Sequence, residues 1–351
     1  MVTERKGLMA RLAEGPVTLA EGYLFELERR GHLQAGAFVP EVVFEDPDAV
    51  RMLTKEFLAA GSDIALALTY YAHREKMKLI GREDELEPMN RAAIRLAHEV
   101  AAPFGALVAG DLSNTNIYDP DDPDSLTAVR GIFREQIEWA LDEGVDLIIA
   151  ETLSYAGEAL IALEEIKAAA PDMPAVINLS FHRPTVTREN WTVGESFRRL
   201  EDAGAEVIGL NCQRGPQTIL PLLAEARETY RGHLAALPVP YRTDADHPTF
   251  QSLEDPGCPC CIPENRPFPV ALDALTCNRY EIADFTKSAQ DIGVTLFGLC
   301  CGAAPHHMRA MAEALGRTPP ASRYSADMSK HFAFGKVDSL KAVNTGYVSQ
   351  L

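Results

Sequence analysis

Three cysteines carry the first chemical signal in this sequence. Cys212 ends the run Gly209-Leu-Asn-Cys212, while Cys300 and Cys301 stand side by side in Phe297-Gly-Leu-Cys-Cys-Gly302. Each group closes a short apolar run of β character, Glu206 to Leu210 in one case and Val294 to Phe297 in the other, so each thiol falls where a strand should stop. Two adjacent thiols on a glycine-flanked turn, joined by a third from a distant strand, can offer three thiolates to one soft or borderline cation such as Zn²⁺. Three protein ligands leave a fourth position for substrate, the pattern of a catalytic zinc site, whereas structural sites close with four. Two plainer readings compete. A free cysteine is often a small buried hydrophobe, and Cys300-Cys301 could form a strained vicinal disulfide, which a reducing compartment disfavours. Joint placement at two strand ends favours the metal.

The rest of the composition limits what such a site can serve. In 351 residues, 33 Lys and Arg stand against 51 Asp and Glu, a formal net charge of −18 with no basic block. That excludes the electrostatic signature of a nucleic-acid or anionic-membrane partner. The opening Met1-Val-Thr-Glu-Arg-Lys6 has no apolar core of a signal peptide, and no run is long and apolar enough for a membrane span. Seven cysteines, an odd number unevenly spread, do not form a secreted disulfide framework. The expectation is a cytoplasmic protein with reduced thiols.

The elements that must position the thiols follow from hydrophobic periodicity. Val17 to Leu19 reads as a strand, followed by the helical Tyr23 to Gly31; Pro47 to Ala60 reads as a helix that leads into the strand Ile64 to Thr69. The alternation continues with helix Asn90 to Ala101 and strand Ala106 to Ala109, then helix Ser125 to Glu143 and strand Asp146 to Ala150. Helix Gly157 to Ala170 precedes strand Ala175 to Leu179, and helix Gly194 to Ala203 precedes the Cys212 strand. Helix Gln217 to Thr229 precedes strand Leu234 to Leu237, helix Asn278 to Ile292 precedes the Cys300 strand, and helix Pro305 to Leu315 closes the series. Eight such strands predict a parallel sheet closed as a (β/α)₈ TIM barrel. A doubly wound open sheet is the rival, weakened because no glycine-rich dinucleotide fingerprint follows the first strand. On a barrel, the polar strand-end residues Glu21, Thr69, Tyr71, Asp111, Asn114, Glu151, Cys212, Cys300 and Cys301 should converge at one mouth.

Two segments fall outside the pattern. Tyr241 to Asn265 is a long proline-rich connection carrying Cys258-Pro-Cys260-Cys261, spaced too tightly to suit one tetrahedral ion and read as an ordinary loop. Residues 1–317 are expected to form the barrel, and residues 318–351 an extension suited to packing on a partner subunit of a homo-oligomer. Cys277 reads as a core or surface thiol, and His306-His307 as capping or packing the last helix.

The chain resembles the homocysteine S-methyltransferase family, and more closely its betaine-homocysteine S-methyltransferase branch, from Gly7 to about Leu315. The resemblance rests on Gly7-Leu-Met-Ala-Arg-Leu, Glu28-Arg-Arg-Gly31, Glu56-Phe-Leu-Ala-Ala-Gly-Ser62, Ala203-Gly-Ala-Glu-Val-Ile-Gly-Leu-Asn-Cys212 and Gly298-Leu-Cys-Cys-Gly302. It implies a (β/α)₈ barrel, Zn²⁺ on Cys212, Cys300 and Cys301, and homocysteine as the thiol that meets the metal. It also implies that Glu151 contacts the homocysteine amino group and that Tyr71 lines the pocket of a small methyl donor. For these two, a solvated or capping carboxylate and a packed barrel-end ring are the plain alternatives. Family members carry Asp-Gly after the first strand, where this chain has Ala20-Glu21-Gly22, with Glu21 the candidate acid. Phe38 and Val39 stand where the betaine branch has tryptophan and threonine, and Thr152 where it has tyrosine.

The implied reaction is methyl transfer from an onium compound to homocysteine, giving methionine, with faces such as Phe38, Tyr70 or Tyr71 holding the donor cation. Thr69 and Asn114 are further candidates for substrate contact. A zinc hydrolase on the same fold would favour His and carboxylate ligands around an activated water, and no strand-end His pair of suitable spacing is present. A non-catalytic zinc protein is the alternative of another class, and it should unfold when its metal is removed.

Overall fold

Runs rich in Val, Ile, Leu and Ala, too short for helices and bounded by polar or glycine residues, can be buried on both faces only inside a parallel sheet covered by helices. In the computed structural model, which describes residues 5–255, 257 and 266–351, eight such runs close into one barrel in sequence order. They are β1 (Val17–Ala20), β2 (Ile64–Leu66), β3 (Leu107–Ser113), β4 (Leu147–Leu153), β5 (Ala175–Leu179), β6 (Val207–Asn211), β7 (His233–Leu237) and β8 (Val294–Leu299). Closure is between β1 and β8, with Leu19 opposite Gly298 and Ala20 opposite Leu299.

The helices stand on the outside, and their ends carry local signals. Asp46 accepts from Ala49 N–H to cap the helix Pro47–Ala59, and Thr192 does the same with Glu195 N–H for Val193–Asp202. Asn278 and Glu281 make a reciprocal capping box for Arg279–Ile292, which ends on Gly293 at φ 96°. His307 is a buried structural group: its Nδ1 accepts from Ala304 N–H at 3.2 Å and its Nε2 lies 3.0 Å from the Cys277 carbonyl. Cys277 is a buried core thiol.

The expected elements are present, with boundaries moved by one to a few residues. β2 is the shortest: pairing with β3 ends at Leu66, and Leu68 to Tyr71 turn into the mouth instead of extending the strand. β3 and β4 run further than the apolar pattern suggested, to Ser113 and Leu153, and carry Asp111 and Glu151 within the strands. Beyond Thr318 the structure has only short turns and the four-residue helix Ala342–Thr345, fastened to the barrel by Ser322 Oγ to Glu313 at 2.7 Å and Arg309 to the Tyr324 carbonyl at 2.6 Å. No helix among the described residues is long and apolar enough to cross a membrane. Cys258, Cys260 and Cys261 lie outside the described residues.

Candidate metal centre and substrate cavity

The three sulfurs meet. Cys212 Sγ lies 3.7 Å from Cys301 Sγ, Cys300 Sγ lies 3.9 Å from Cys301 Sγ, and all three fall within 4.8 Å of one another. A disulfide would need about 2.05 Å, and all three cysteines are free. An ion bound tetrahedrally at ~2.3 Å by each thiolate separates its ligands by about 3.8 Å, so the donor set fits Zn²⁺ without rearrangement. No fourth His, Cys, Asp or Glu joins this group among the described residues. Contact with the sulfurs of Cys300 and then Cys301 pulls Cys212 well below the ordinary thiol range. Burial pushes Cys300 up, and contact with Cys212 does the same to Cys301. Cys212 is thus the thiol of the three that most readily takes the thiolate, the ligating form.

Backbone geometry presents these sulfurs. Cys212 follows β6 at φ 55°, and its N–H donates to the Leu237 carbonyl at 3.0 Å. At Gly302 the φ of 90° and the packing of Tyr241 both require glycine, because a Cβ there would collide with the tyrosine hydroxyl. Behind that turn, Arg29 donates to the Gly302 carbonyl at 3.2 Å and to Tyr241 Oη at 2.5 Å.

Beneath the sulfurs lie three acids. Glu21, Asp111 and Glu151 are all buried, and with Cys300 and Cys301 they border one small chamber. Burial first raises each carboxyl well above its ordinary range, and a neighbouring acid raises it further: Glu151 for Glu21, Asp111 for Glu151, and Glu21 for Asp111. No basic side chain pairs with any of them among the described residues, and both Asp111 oxygens meet no N–H or hydroxyl donor. The organiser is Asn211, whose Nδ2 donates to Glu151 at 2.7 Å and Glu21 at 3.0 Å while its Oδ1 accepts from Thr152 N–H at 2.9 Å. Asn178 also donates to Glu21, at 3.4 Å. Buried acids without a counter-ion suit a cationic ligand. Glu151 is neither solvated nor a cap, and Glu21, directly after β1, is buried beside it.

Above the sulfurs opens a cavity of about 430 Å³, bordered by Cys212 and Cys301. Among the described residues seven non-glycine residues have positive φ, and six of them border this cavity: Phe38, Tyr71, Asn116, Thr152, Cys212 and Gln213. Backbone strain of this kind, about 1–3 kcal/mol per residue, gathers at functional sites. The walls are aromatic. Phe38 stacks on Phe25 with ring centres 5.3 Å apart, Tyr70 and Tyr71 meet at 4.3 Å, and Phe250 and Phe268 complete the apolar side. Asn114 borders the cavity and donates to the Thr152 carbonyl at 3.3 Å.

Thr69 is placed otherwise than expected. Its hydroxyl donates to the Asp111 carbonyl at 2.7 Å and accepts from Asp111 N–H at 3.2 Å, so it joins two strand ends and borders neither space. The chain order of motifs did not reveal Asn211, Asn178, Phe25, Phe250 or Phe268. Only Asn211 had a usable signal, as the polar residue preceding Cys212 at the end of an otherwise apolar strand.

A model of the homocysteine S-methyltransferase family matches residues 22–315. The chain is 34% identical over 342 residues to the S-methylmethionine--homocysteine S-methyltransferase BHMT2 of Pongo abelii, covering 94% of this chain and 86% of that protein. It is also 34% identical over 346 residues to the betaine--homocysteine S-methyltransferase 1 of Xenopus tropicalis, covering 94% and 80%. Among solved structures, the metallated homocysteine methyltransferase MmuM of Escherichia coli superposes with a TM-score of 0.67 over 87% of this chain and 98% of that one. At 20% identity that likeness speaks for the fold alone.

Proposed function

The chain belongs to the homocysteine S-methyltransferase family, and on that premise we propose that it transfers a methyl group from an onium donor, a betaine or a sulfonium compound, to the thiol of homocysteine, giving methionine. The metal in this reading is Zn²⁺ on Cys212, Cys300 and Cys301. The sulfur triangle carries the reading: thiols from the ends of β6 and β8 stand 3.7 and 3.9 Å apart beside a cavity large enough for two small molecules. Bound there, Zn²⁺ would take up the homocysteine sulfur as a thiolate at neutral pH, where a free thiol with a pKa near ~8.5 stays mostly protonated.

The protein's own groups do the rest. Glu21 and Glu151, held on either side of Asn211 Nδ2, receive the homocysteine ammonium, whose charge offsets the burial and mutual repulsion that raise these carboxyls and Asp111. Phe38, Tyr70 and Tyr71 face the donor cation, a contribution of roughly 0.5–2 kcal/mol that serves binding more than rate. The sulfur gives an electron pair to the methyl carbon as the bond to the donor nitrogen or sulfur breaks, and that bond's pair stays on the departing amine or sulfide. Holding the three atoms in line can remove about 7–11 kcal/mol of barrier, so orientation by the strained cavity wall is the larger effect. We place the protein in the cytoplasm, a reading supported by the four cysteines among the described residues, all of them free, and read residues 318–351 as a self-association segment.

The test is to load the protein with Zn²⁺, supply homocysteine and a panel of betaines and sulfonium compounds, and follow methionine. Methionine should form, and chelation should stop it while far-ultraviolet circular dichroism is retained. No methionine from any donor sinks the reading, and unfolding on chelation would mark the zinc as structural.

A further inference from the structure

The segment between β5 and the helix Val193–Asp202 is fixed to its neighbour at three points. Arg188 N–H donates to the Ser154 carbonyl at 3.0 Å, and the Glu189 carboxylate accepts from Ala156 N–H at 3.1 Å and Gly157 N–H at 2.7 Å, at the start of the helix Ala156–Ala169. These bonds hold the Arg188 backbone at the rim of the 430 Å³ cavity, which the residue borders. The guanidinium lies 4.8 Å from the Tyr155 ring centre, its charge acts on the Glu158 carboxyl that borders the same cavity, and no hydrogen bond ties it to a described residue.

The guanidinium keeps its N–H donors free of described partners because the nearby carboxylates are hydrogen-bonded elsewhere. Glu189 is occupied by the two backbone N–H groups, and Glu158 accepts from Thr115 N–H at 2.8 Å and from the Thr115 hydroxyl at 2.6 Å. Among the described residues, Arg188 is the only Lys or Arg bordering the cavity. His182 is beside it, with Nε2 2.9 Å from Ser154 Oγ, and burial keeps its ring from charging readily. The site is therefore polar along its length: three buried acids beyond the sulfurs, aromatic faces between, and beside Glu158 one guanidinium whose N–H donors have no described acceptor.

We propose that Arg188 is a specificity-determining residue that receives the carboxylate of the methyl donor, so that the site prefers zwitterionic onium donors to onium cations lacking an acid group. The inference rests on the methyl-transfer reading for its choice of ligand. A planar fork of N–H donors matches a carboxylate in two parallel hydrogen bonds, and this contact orients the donor with its cationic end toward the sulfurs. Arg188 is exposed to solvent, so screening keeps the gain modest.

The experiment compares wild type, Arg188→Met and Arg188→Lys, zinc-loaded, with two zwitterions (betaine and S-methylmethionine) and two plain cations (tetramethylammonium and trimethylsulfonium). Donor KM is read from methionine formation and donor Kd from calorimetry. For Arg188→Met, KM and Kd of the zwitterions should rise roughly three- to fivefold, those of the plain cations should stay within about 1.5-fold, and homocysteine KM should not move; Arg188→Lys should recover part of the loss. An equal rise for both donor classes, or none for either, overturns the assignment. If wild type makes no methionine from any donor, the methyl-transfer reading falls separately. Calorimetry then still decides Arg188, since betaine binding that is absent or indifferent to the substitution rejects it.

Discussion

At Cys212 the chain leaves β6 in a left-handed conformation that non-glycine residues rarely adopt, and the next residue, Gln213, repeats it at φ 54°. Backbone hydrogen bonds around it, Cys212 N–H to the Leu237 carbonyl and Val239 N–H to the Arg214 carbonyl, hold that turn, so Cys300→Ala is expected to abolish stoichiometric zinc, assayed by atomic absorption, and methyl transfer, while the far-ultraviolet spectrum stays near that of wild type. Retained zinc with full turnover would refute the role. His73 packs against Tyr71, which borders the cavity. It is buried, meets the Tyr71 ring edge-on at 6.0 Å, and is pushed down to about 4, first by burial and then by Lys76. Unfolded, the same imidazole titrates near ~6.5. Between these values the unfolded chain binds a proton that the folded chain refuses, so stability is complete above about pH 6.5 and falls as the pH drops toward 4, by at most about 3 kcal/mol. His307, held down to about 3 by burial, acts in the same direction. Melting temperatures at pH 7 and pH 5 should differ less in His73→Phe than in wild type; an identical difference would show that His73 carries no part of the acid sensitivity.

Among the elements, β6 and β8 carry the thiols, and each strand approaches its neighbours through a glycine. A Cβ at Gly209 would strike Ala235 and the Asn178 side chain that reaches toward Glu21, and one at Gly298 would strike the Leu19 carbonyl and Leu237. Gly131, on the helix Pro123–Asp142, has nothing within 4 Å of its added Cβ and no positive φ. The same substitution should therefore have opposite signs. Gly298→Ala is expected to destabilise by about 1–3 kcal/mol through overpacking, whereas Gly131→Ala should stabilise by about 0.5–1 kcal/mol through helix propensity. Urea midpoints measure both, and a neutral Gly298→Ala would mean that the barrel wall relaxes where the structure is tightest.

Over the whole molecule, the uneven feature is the extension. Tyr324, Met328, Phe332, Phe334, Val343, Tyr347 and Leu351 are all exposed within it. Four of the seven are aromatic, each about half or more exposed and able to bury ~150–250 Å² in full, so with the three aliphatic side chains the set offers several hundred Å², the order of what each partner contributes to a standard interface. Deleting residues 319–351 is expected to lower the mass observed in sedimentation velocity to that of one chain while the barrel retains its circular dichroism. A full-length protein that already sediments as one chain would remove the self-association reading.

Hydrophobic period and turn residues determined the barrel, because eight apolar runs buried on both faces leave few other arrangements, and the paired motifs Gly209-Leu-Asn-Cys212 and Phe297-Gly-Leu-Cys-Cys-Gly302 determined the thiol site. What each polar residue does there was decided only by tertiary structure. Thr69 and Asp111 looked equivalent as polar strand-end residues, yet Thr69 turns its hydroxyl to a neighbouring backbone while Asp111 meets the Glu151 carboxyl in the acid chamber. Asn211, Phe250 and Phe268 gave little warning of their positions, since which side chains meet at a barrel mouth depends on strand register and loop path. Those contacts lie tens to hundreds of residues apart along the chain, and local periodicity carries no information about them.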